Sequence, residues 1–310
     1  MQVERYIPKD LFPCSSEYLY HQNPYYIVAP DYTHKSAGIR LMHQLCSALN
    51  QMGCEAYVVS NKLNGELWAP KLTEENKVAH YQAGKKPIVV YPEVVKGQPM
   101  GFGVPVRYVL NYPGLLGGGD KEYPENEIVF SFDQDYYPDG ILLFLPVINI
   151  KEIDAVVPRS NRLKGSSAVY YNRYKPSKEE IEALGKGCVD VSTITSLKFK
   201  EVISILKSVE VLYCYEPSAI IAEAILCGCA VILLKSDKML EMPKNMIERG
   251  MNGVAWGVDE VEVKRALATV EIGKKRILNE INGWVERLTA FISVTQEASD
   301  RIGIEKCWPI

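Results

Sequence analysis

The chain has 310 residues, 47% hydrophobic and 24% charged, a composition that excludes disordered and fibrous architectures. At roughly 150 residues per domain the length allows two cores. Thirty-five Lys/Arg against 38 Asp/Glu leave a formal charge of -3, which argues against a nucleic-acid backbone or an anionic lipid surface as the main partner.

The charge is uneven along the chain. Up to Val157 there are 13 basic and 18 acidic residues, and beyond it 22 and 20, so a phosphate site is expected in the second part. The opening segment, MQVERYIPKDLFP, lacks the apolar core of a signal peptide, and no run of ~18 apolar residues follows. A cytoplasmic protein is expected. The eight cysteines, Cys14, Cys46, Cys54, Cys188, Cys214, Cys227, Cys229 and Cys307, sit mostly in apolar runs and read as reduced, buried thiols. The histidines carry no paired spacing and Cys227-Gly228-Cys229 lacks the spacer of a zinc knuckle, so no metal is expected.

From Tyr25 onward, apolar runs alternate with Gly- or Pro-rich turns and helix-period stretches, the pattern of βαβ units and parallel sheets. Tyr25–Ala29 reads as a buried strand. Ser36–Gln51 then places Ile39, Met42, Leu45, Cys46 and Leu49 on one helical face, and Gly53 closes that helix. Strands are predicted at Ala56–Ser60, Ile88–Tyr91, Tyr108–Leu110, Ile128–Phe132 and Leu142–Leu145. Lys151–Lys164 reads as a linker. Beyond it lie a strand at Ala168–Tyr171, a helix at Lys198–Ser208, a strand at Val211–Tyr215, a helix at Ala219–Leu226 and a strand at Ala230–Leu234, followed later by Val254-Ala255-Trp256. Two helices remain, Val261–Val270 and Glu271–Ala298, the latter carrying Ile277, Ile281, Trp284, Leu288, Phe291 and Ile292 as one stripe. The predicted organisation is α/β: an N-terminal Rossmann-like domain over 1–155, a second over 156–285, the two facing a cleft, and a C-terminal helix over 286–310 that returns toward the first domain and packs across both.

In open parallel sheets ligands sit beyond the carboxyl ends of strands. The segment from Val211 to Leu234 is a compact βαβ unit of this kind. Pro217 suits a first helical turn, Glu216 falls in the loop, and the N–H groups near Ser218 and Ala219 are available to an anion such as a diphosphate. Glu223 is a carboxylate on an otherwise apolar helix, read equally well as a ribose ligand or as an exposed or ion-paired helical residue. Arg173 and Lys175, in the loop after the Ala168–Tyr171 strand, are cations suited to a departing diphosphate, or simply a solvated basic loop. Glu93 follows a buried strand, where a carboxylate can orient an acceptor hydroxyl or cap a loop. His34 lies in the loop after the first strand and is a further candidate, whereas His43 reads as a packing residue, and His21 and His80 carry no role.

The Val211–Leu234 segment resembles the donor-binding signature of GT-B glycosyltransferases, especially the retaining family 4 enzymes. In that family the first of two glutamates approaches the donor sugar and the second holds the nucleotide ribose. Glu216 and Glu223 take those places, with one intervening residue fewer than in that family. Cys227-Gly228-Cys229 is similar to its small-residue turn, and Ala168–Lys175 to its diphosphate-binding strand and loop, where Asn172-Arg173-Tyr174 replaces a Gly-Lys-Gly type sequence. Ser36, Ala37 and Gly38 resemble an acceptor-side loop of bacterial cell-surface polysaccharide glycosyltransferases, as do Tyr91-Pro92-Glu93, Gly97-Gln98-Pro99 and the run Arg107–Gly114. The resemblance implies sugar transfer from a UDP- or GDP-sugar to a glycan or lipid-linked acceptor in polysaccharide assembly, with retention and without a cofactor. Glu216, Glu93 and His34 would be catalytic, and Glu223, Ser218, Ala219, Arg173, Lys175 and Pro217 would bind the donor. Peripheral contact with the inner face of the membrane is compatible with it. The alternatives are a nucleotide-sugar epimerase of the same architecture and a non-catalytic paralogue.

Asp133-Gln134-Asp135, after the Ile128–Phe132 strand, matches the metal-binding Asp-x-Asp of GT-A enzymes, but a single two-domain pattern leaves it as a loop. Gly114–Gly119 reads as a mobile loop over the cleft. No dinucleotide fingerprint or phosphate loop is present, which argues against an NAD enzyme or an NTPase.

Overall fold

The computed structural model describes residues 23–33, 36–146, 150–192, 198–248 and 250–308. The chain forms two compact units, Met1–Leu145 with Trp284–Ile310, and Pro146–Gly283. His34, Cys14 and His21 lie outside the described residues.

The first unit is built on six parallel strands: β1 (Tyr25–Val28), β2 (Ala56–Val59), β3 (Ile88–Pro92), β4 (Val104–Val109), β5 (Ile128–Ser131) and β6 (Ile141–Leu142), in the order β2-β1-β3-β4-β5-β6. Helix α1 (Ala37–Gln51) connects β1 to β2, and α2 (Glu74–Gln82) precedes β3. Ser36 starts α1, its Oγ accepting from Ile39 N at 3.3 Å. The apolar face of α1 buries Leu41, Met42, Leu45 and Leu49. Strand β4 begins four residues earlier than the expected Tyr108 and contains Pro105, a residue confined in sheets to positions where its missing N–H has no partner. Pairing with β5 starts only at Val106, so the missing N–H of Pro105 faces no partner strand.

The second unit contains α3 (Ile150–Ala155), β7 (Ser167–Tyr170), α4 (Lys178–Ala183), β8 (Val189–Asp190), α5 (Phe199–Leu206), β9 (Val211–Cys214), α6 (Ile220–Leu226), β10 (Ala230–Leu233), α7 (Lys244–Glu248), β11 (Val254–Trp256) and α8 (Glu260–Asn282). Its sheet is again all parallel, ordered β11-β10-β9-β7-β8. The segment expected as a linker is not one: α3 opens it, and Ile153 is buried in this unit's core with Ile225, Leu226 and Leu212. Arg162, farther along, donates to the carbonyls of Cys227 (2.7 Å) and Gly228, and of Lys207 at 3.3 Å. A cation thereby satisfies the carbonyl ends of both α5 and α6.

The last two helices break at Gly283 rather than at Val270, since the sequence from Glu260 to Asn282 contains no breaker that outweighs its packing. The expected apolar stripe is thereby divided. Ile277 and Ile281 pack in the second unit's core. Leu288, Phe291 and Ile292 lie instead on α9 (Trp284–Arg301) and are buried in the first unit. There Phe291 meets Phe130 edge to face at 4.7 Å, Thr295 bonds the Tyr25 hydroxyl at 2.8 Å, and Gln296 Nε2 donates to Asn23 O at 2.8 Å. No helix among the described residues is long and apolar enough to cross a membrane.

Candidate functional site

Sheet order fixes where a ligand can bind. In the second unit β7 lies between β8, which follows it in sequence, and β9, which comes later. Connections therefore leave the carboxyl ends of β7 and β9 toward opposite sides, and the gap between them is the place where doubly wound sheets hold ligands. Tyr170 ends β7 and Cys214 ends β9. Glu216 stands two residues beyond Cys214, and its side chain reaches the loop that follows β7.

There its carboxylate is fully engaged. Oε1 accepts from the backbone N–H of Asn172 and from that of Arg173 at 2.7 Å, and Oε2 accepts from Arg173 Nε at 2.7 Å. Glu216 is 1% exposed at its side chain, whereas Arg173 is 36% exposed. The outer edge of the guanidinium is held less tightly: Nη2 reaches Pro217 O only at 3.5 Å, and no described residue accepts from Nη1. An anchored arginine with an unspent donor is suited to a planar or tetrahedral anion.

Of the other predicted donor-side residues, Lys175, Pro217 and Ser218 lie on the same two loops, Ala219 adjoins α6 and Glu223 is within it. Lys175 Nζ donates to Asn172 O at 3.0 Å and is exposed. Ser218 Oγ donates to the Tyr170 hydroxyl at 3.3 Å, and burial pushes that phenol up to about 12. Glu223 is buried on α6. Pro217, however, does not open the helix: α6 starts at Ile220 with Ala219 as its uncapped first neighbour. The turn is closed instead by Ile221 N to Ser218 O (3.2 Å) and Glu223 N to Ala219 O (3.2 Å). The helix spans seven residues, so its dipole is short, and positive charge at this end of the sheet resides chiefly in Arg173 and Lys175. At its far end Gly228 adopts φ 75° and donates to Ile225 O at 2.9 Å, while Cys229 N bonds Ala224 O. The small-residue turn of the sequence is therefore a Schellman cap, where a left-handed residue is required. Behind the loops, Tyr174 stacks on Tyr215 at 5.0 Å and donates from its hydroxyl to Glu180 at 2.8 Å.

The first unit repeats the strand plan, with its own divergence between β1 and β3. Ser36, Ala37 and Gly38 are the cap and first residues of α1, directly after the β1 loop. Glu93 follows β3 and is 4% exposed, accepting from Leu110 N at 3.1 Å. Burial pushes its carboxyl above the ordinary value, opposed by the Leu110 N–H and by Arg107. The Gly114–Gly119 loop expected to be mobile is seated on it. Gly119 has φ 68°, and a Cβ there would overlap the Glu93 carbonyl oxygen, while Asp120 Oδ2 accepts from Gly97 N at 2.6 Å. Asp133 and Asp135 form a local turn, Asp135 N donating to Asp133 Oδ1 at 3.0 Å and Tyr112 donating to Asp135 Oδ2 at 2.5 Å. Among the described residues no group of three or more potential ligands is placed to hold a metal ion.

No family model matches the chain, and no curated protein matches it. Among solved structures it is similar to CalG4, the calicheamicin glycosyltransferase, at 11% identity and a TM-score of 0.45, over 91% of this chain and 99% of that one. It is similar also to the spinosyn rhamnosyltransferase SpnG complexed with thymidine diphosphate, at 13% identity and 0.36, over 89% and 96%. A UDP-glucosyltransferase from Polygonum tinctorium gives 11% and 0.35, over 91% and 98%. At these values the site, not the likeness, carries the functional reading.

Two polar networks have no local signal in the sequence. Arg107 is wholly buried, bonded to Glu127 and to the carbonyls of Pro92, Val95 and Gly97. Its partner lies 20 residues away, and nothing local marks the pair. His80 bonds the Tyr26 hydroxyl through Nδ1 at 2.6 Å and Glu55 through Nε2 at 2.8 Å, so it joins β1, β2 and α2. Those contacts, with the Lys85 ammonium and the Tyr57 hydroxyl, pull the Glu55 carboxyl down to about 2. His43 does pack inside the unit, Nε2 at 3.1 Å from Pro30 O, with Nδ1 buried and without a hydrogen-bond partner among the described residues. The described cysteines are free thiols, all buried except the half-buried Cys188.

Proposed function

We propose that the chain is a GT-B glycosyltransferase that binds a nucleotide diphosphate sugar on its second unit and transfers the sugar to a glycan or lipid-linked glycan. The observation that carries this reading is the Arg173 guanidinium anchored at the divergence of β7 and β9, on the same loop as Lys175. In the reaction the bond between the anomeric carbon and the diphosphate oxygen breaks, and a bond to an acceptor oxygen forms. Arg173 and Lys175 offset the charge that grows on the departing diphosphate. Glu223 holds the ribose hydroxyls, as carboxylates do at this position in related sheets. Ser218, Ala219 and Pro217 complete the loop beside them.

Glu93 on the first unit orients the acceptor hydroxyl, and burial, by raising its carboxyl above the ordinary value, makes it a better proton acceptor than an exposed carboxylate. Ser36, Ala37 and Gly38 shape the acceptor side. Retention of configuration, a UDP- or GDP-linked donor and a place in cell-surface polysaccharide assembly follow from the resemblance of Val211–Leu234 and Ser36–Gly38 to the family 4 enzymes. Work at the cytoplasmic face of the membrane fits a lipid-linked acceptor. A thermal-shift screen of UDP-, GDP- and dTDP-sugars tests the reading, because a ligand that binds only the folded chain raises its melting temperature. Stabilisation by one of them is expected. No shift with any at 1,000-fold excess over a micromolar Kd would contradict it.

A further inference from the structure

We infer that Glu216 is a positioning residue that holds Arg173 for a diphosphate, and that it does not itself contact the donor sugar; this rests on reading the second unit as a nucleoside-diphosphate site. Three observations on the page carry it. Both carboxylate oxygens are already engaged, Oε1 by two backbone N–H groups and Oε2 by Arg173 Nε. The carboxylate is buried at 1% exposure, and the sugar of a bound donor would have to displace the 172–173 turn to reach it. Finally, the groups it holds are consecutive: the N–H of Asn172, then the N–H and the side chain of Arg173, so one carboxylate sets the turn and the guanidinium together.

The physical gain is pre-organisation. A long arginine side chain loses rotamer freedom when it captures an anion, and anchoring Nε in advance removes part of that loss. The anchor also fixes the direction of the fork, leaving Nη1 to the ligand. Glu216 faces back toward β7, where its carboxylate is spent on the 172–173 turn. The opposing electrostatic effect is a charge at close range to a bound phosphate, which would make Glu216 unfavourable for binding if it did nothing else. The two effects have opposite signs, so the account is decidable.

The test is calorimetric titration of the full chain with UDP, GDP and dTDP, which carry no sugar, for wild type, Glu216→Gln, Arg173→Ala and the double variant. Glutamine still accepts from the two backbone N–H groups but faces Arg173 Nε with an amide that donates. We expect Glu216→Gln and Arg173→Ala each to weaken the diphosphate that binds by about tenfold, the usual scale for one charged hydrogen bond. The double variant should be no weaker than Arg173→Ala alone, because both changes remove one coupled interaction. Unchanged or tighter diphosphate binding by Glu216→Gln would overturn the inference, as would losses that add in the double variant. Should Glu216→Gln not fold, Glu216→Asp, which keeps the charge but retracts the anchor, is expected to weaken the same diphosphate, and wild-type affinity there overturns the inference equally. Failure of the wild type to bind any of the three removes the underlying reading itself, an outcome distinct from those above.

Discussion

Arg107 and Glu127 form a doubly hydrogen-bonded ion pair from which solvent is excluded, Nε to Oε2 and Nη2 to Oε1, each 2.8 Å, with both side chains 0% exposed. The remaining guanidinium N–H groups donate to Pro92, Val95 and Gly97, the loop that leaves β3 and contains Glu93. Tyr123 and Tyr91 flank the cation at 5.0 and 5.4 Å from their ring centres. The pair thus supports the loop after β3 from beneath.

Breaking it from one side leaves an uncompensated buried charge. Glu127→Gln and Arg107→Met are each expected to destabilise the protein by about 3–5 kcal/mol in urea unfolding. The double variant Arg107→Met/Glu127→Leu should cost clearly less than the sum of the singles, since the two charges are removed together. Additive losses would show that the carbonyl contacts, not the ion pair, hold the loop.

The glycine tract gives an internally controlled prediction. Gly117 and Gly119 both have positive φ, 74° and 68°, but a Cβ meets nothing at Gly117 and collides with the Glu93 backbone at Gly119. Gly117→Ala carries only the left-handed penalty of about 1–2 kcal/mol. Gly119→Ala should exceed it, because the added Cβ displaces the Glu93 backbone; under the proposed function it should also lower sugar transfer. Equal losses at the two positions would mean that the loop lifts away at little cost.

How far the sequence reveals this structure depends on whether the deciding partner is local. Strands such as Tyr25–Val28, Val211–Cys214 and Ala230–Leu233 are continuous apolar runs, and the helix after β1 is marked by Ser36 and Gly53, so the doubly wound plan of both units is readable from spacing. Pro105 is tolerated inside β4 because β5 begins to pair only at Val106, a tertiary fact that no local pattern carries. The two-residue β8 is too short to carry periodicity, and the stripe over Ile277–Ile292 reads as one helix because nothing in the pattern reveals that its halves serve different cores. The candidate site reads from the sequence as a set of separate residues after strands, Arg173, Glu216 and Ser218, with Glu223 on the helix that follows. That Glu216 is spent on Arg173, 43 residues away, and that His80 links Tyr26 to Glu55 are not legible there, since no local rule selects a polar partner across the sheet.

Acidity should distinguish the buried carboxylates. Glu93 has its folded-state carboxyl raised by burial, so the native state binds the proton more tightly than the unfolded chain. Stability from this group is fully present below the unfolded value near 4.5 and falls as pH rises through the higher folded one. Glu93→Gln is therefore expected to match wild type near pH 4 and to be the more stable of the two at pH 8, in parallel denaturant titrations. Glu55 behaves oppositely: its carboxyl is lowered to about 2, so its contribution is present above pH 4.5 and is lost as pH falls toward 2. Because Glu55 is partly exposed, that contribution is discounted to about 1 kcal/mol or less.

Binding of a nucleoside diphosphate by the second unit is the claim on which the functional account stands, and Glu223 tests it most directly. Calorimetry of wild type and Glu223→Ala against the diphosphate selected by the thermal screen compares ribose anchoring with and without the carboxylate. Saturable binding by wild type and at least a tenfold weaker Kd in Glu223→Ala, with melting temperature checked in parallel, is the predicted result. Equal affinity in the two proteins would contradict the placement of the nucleotide beside α6.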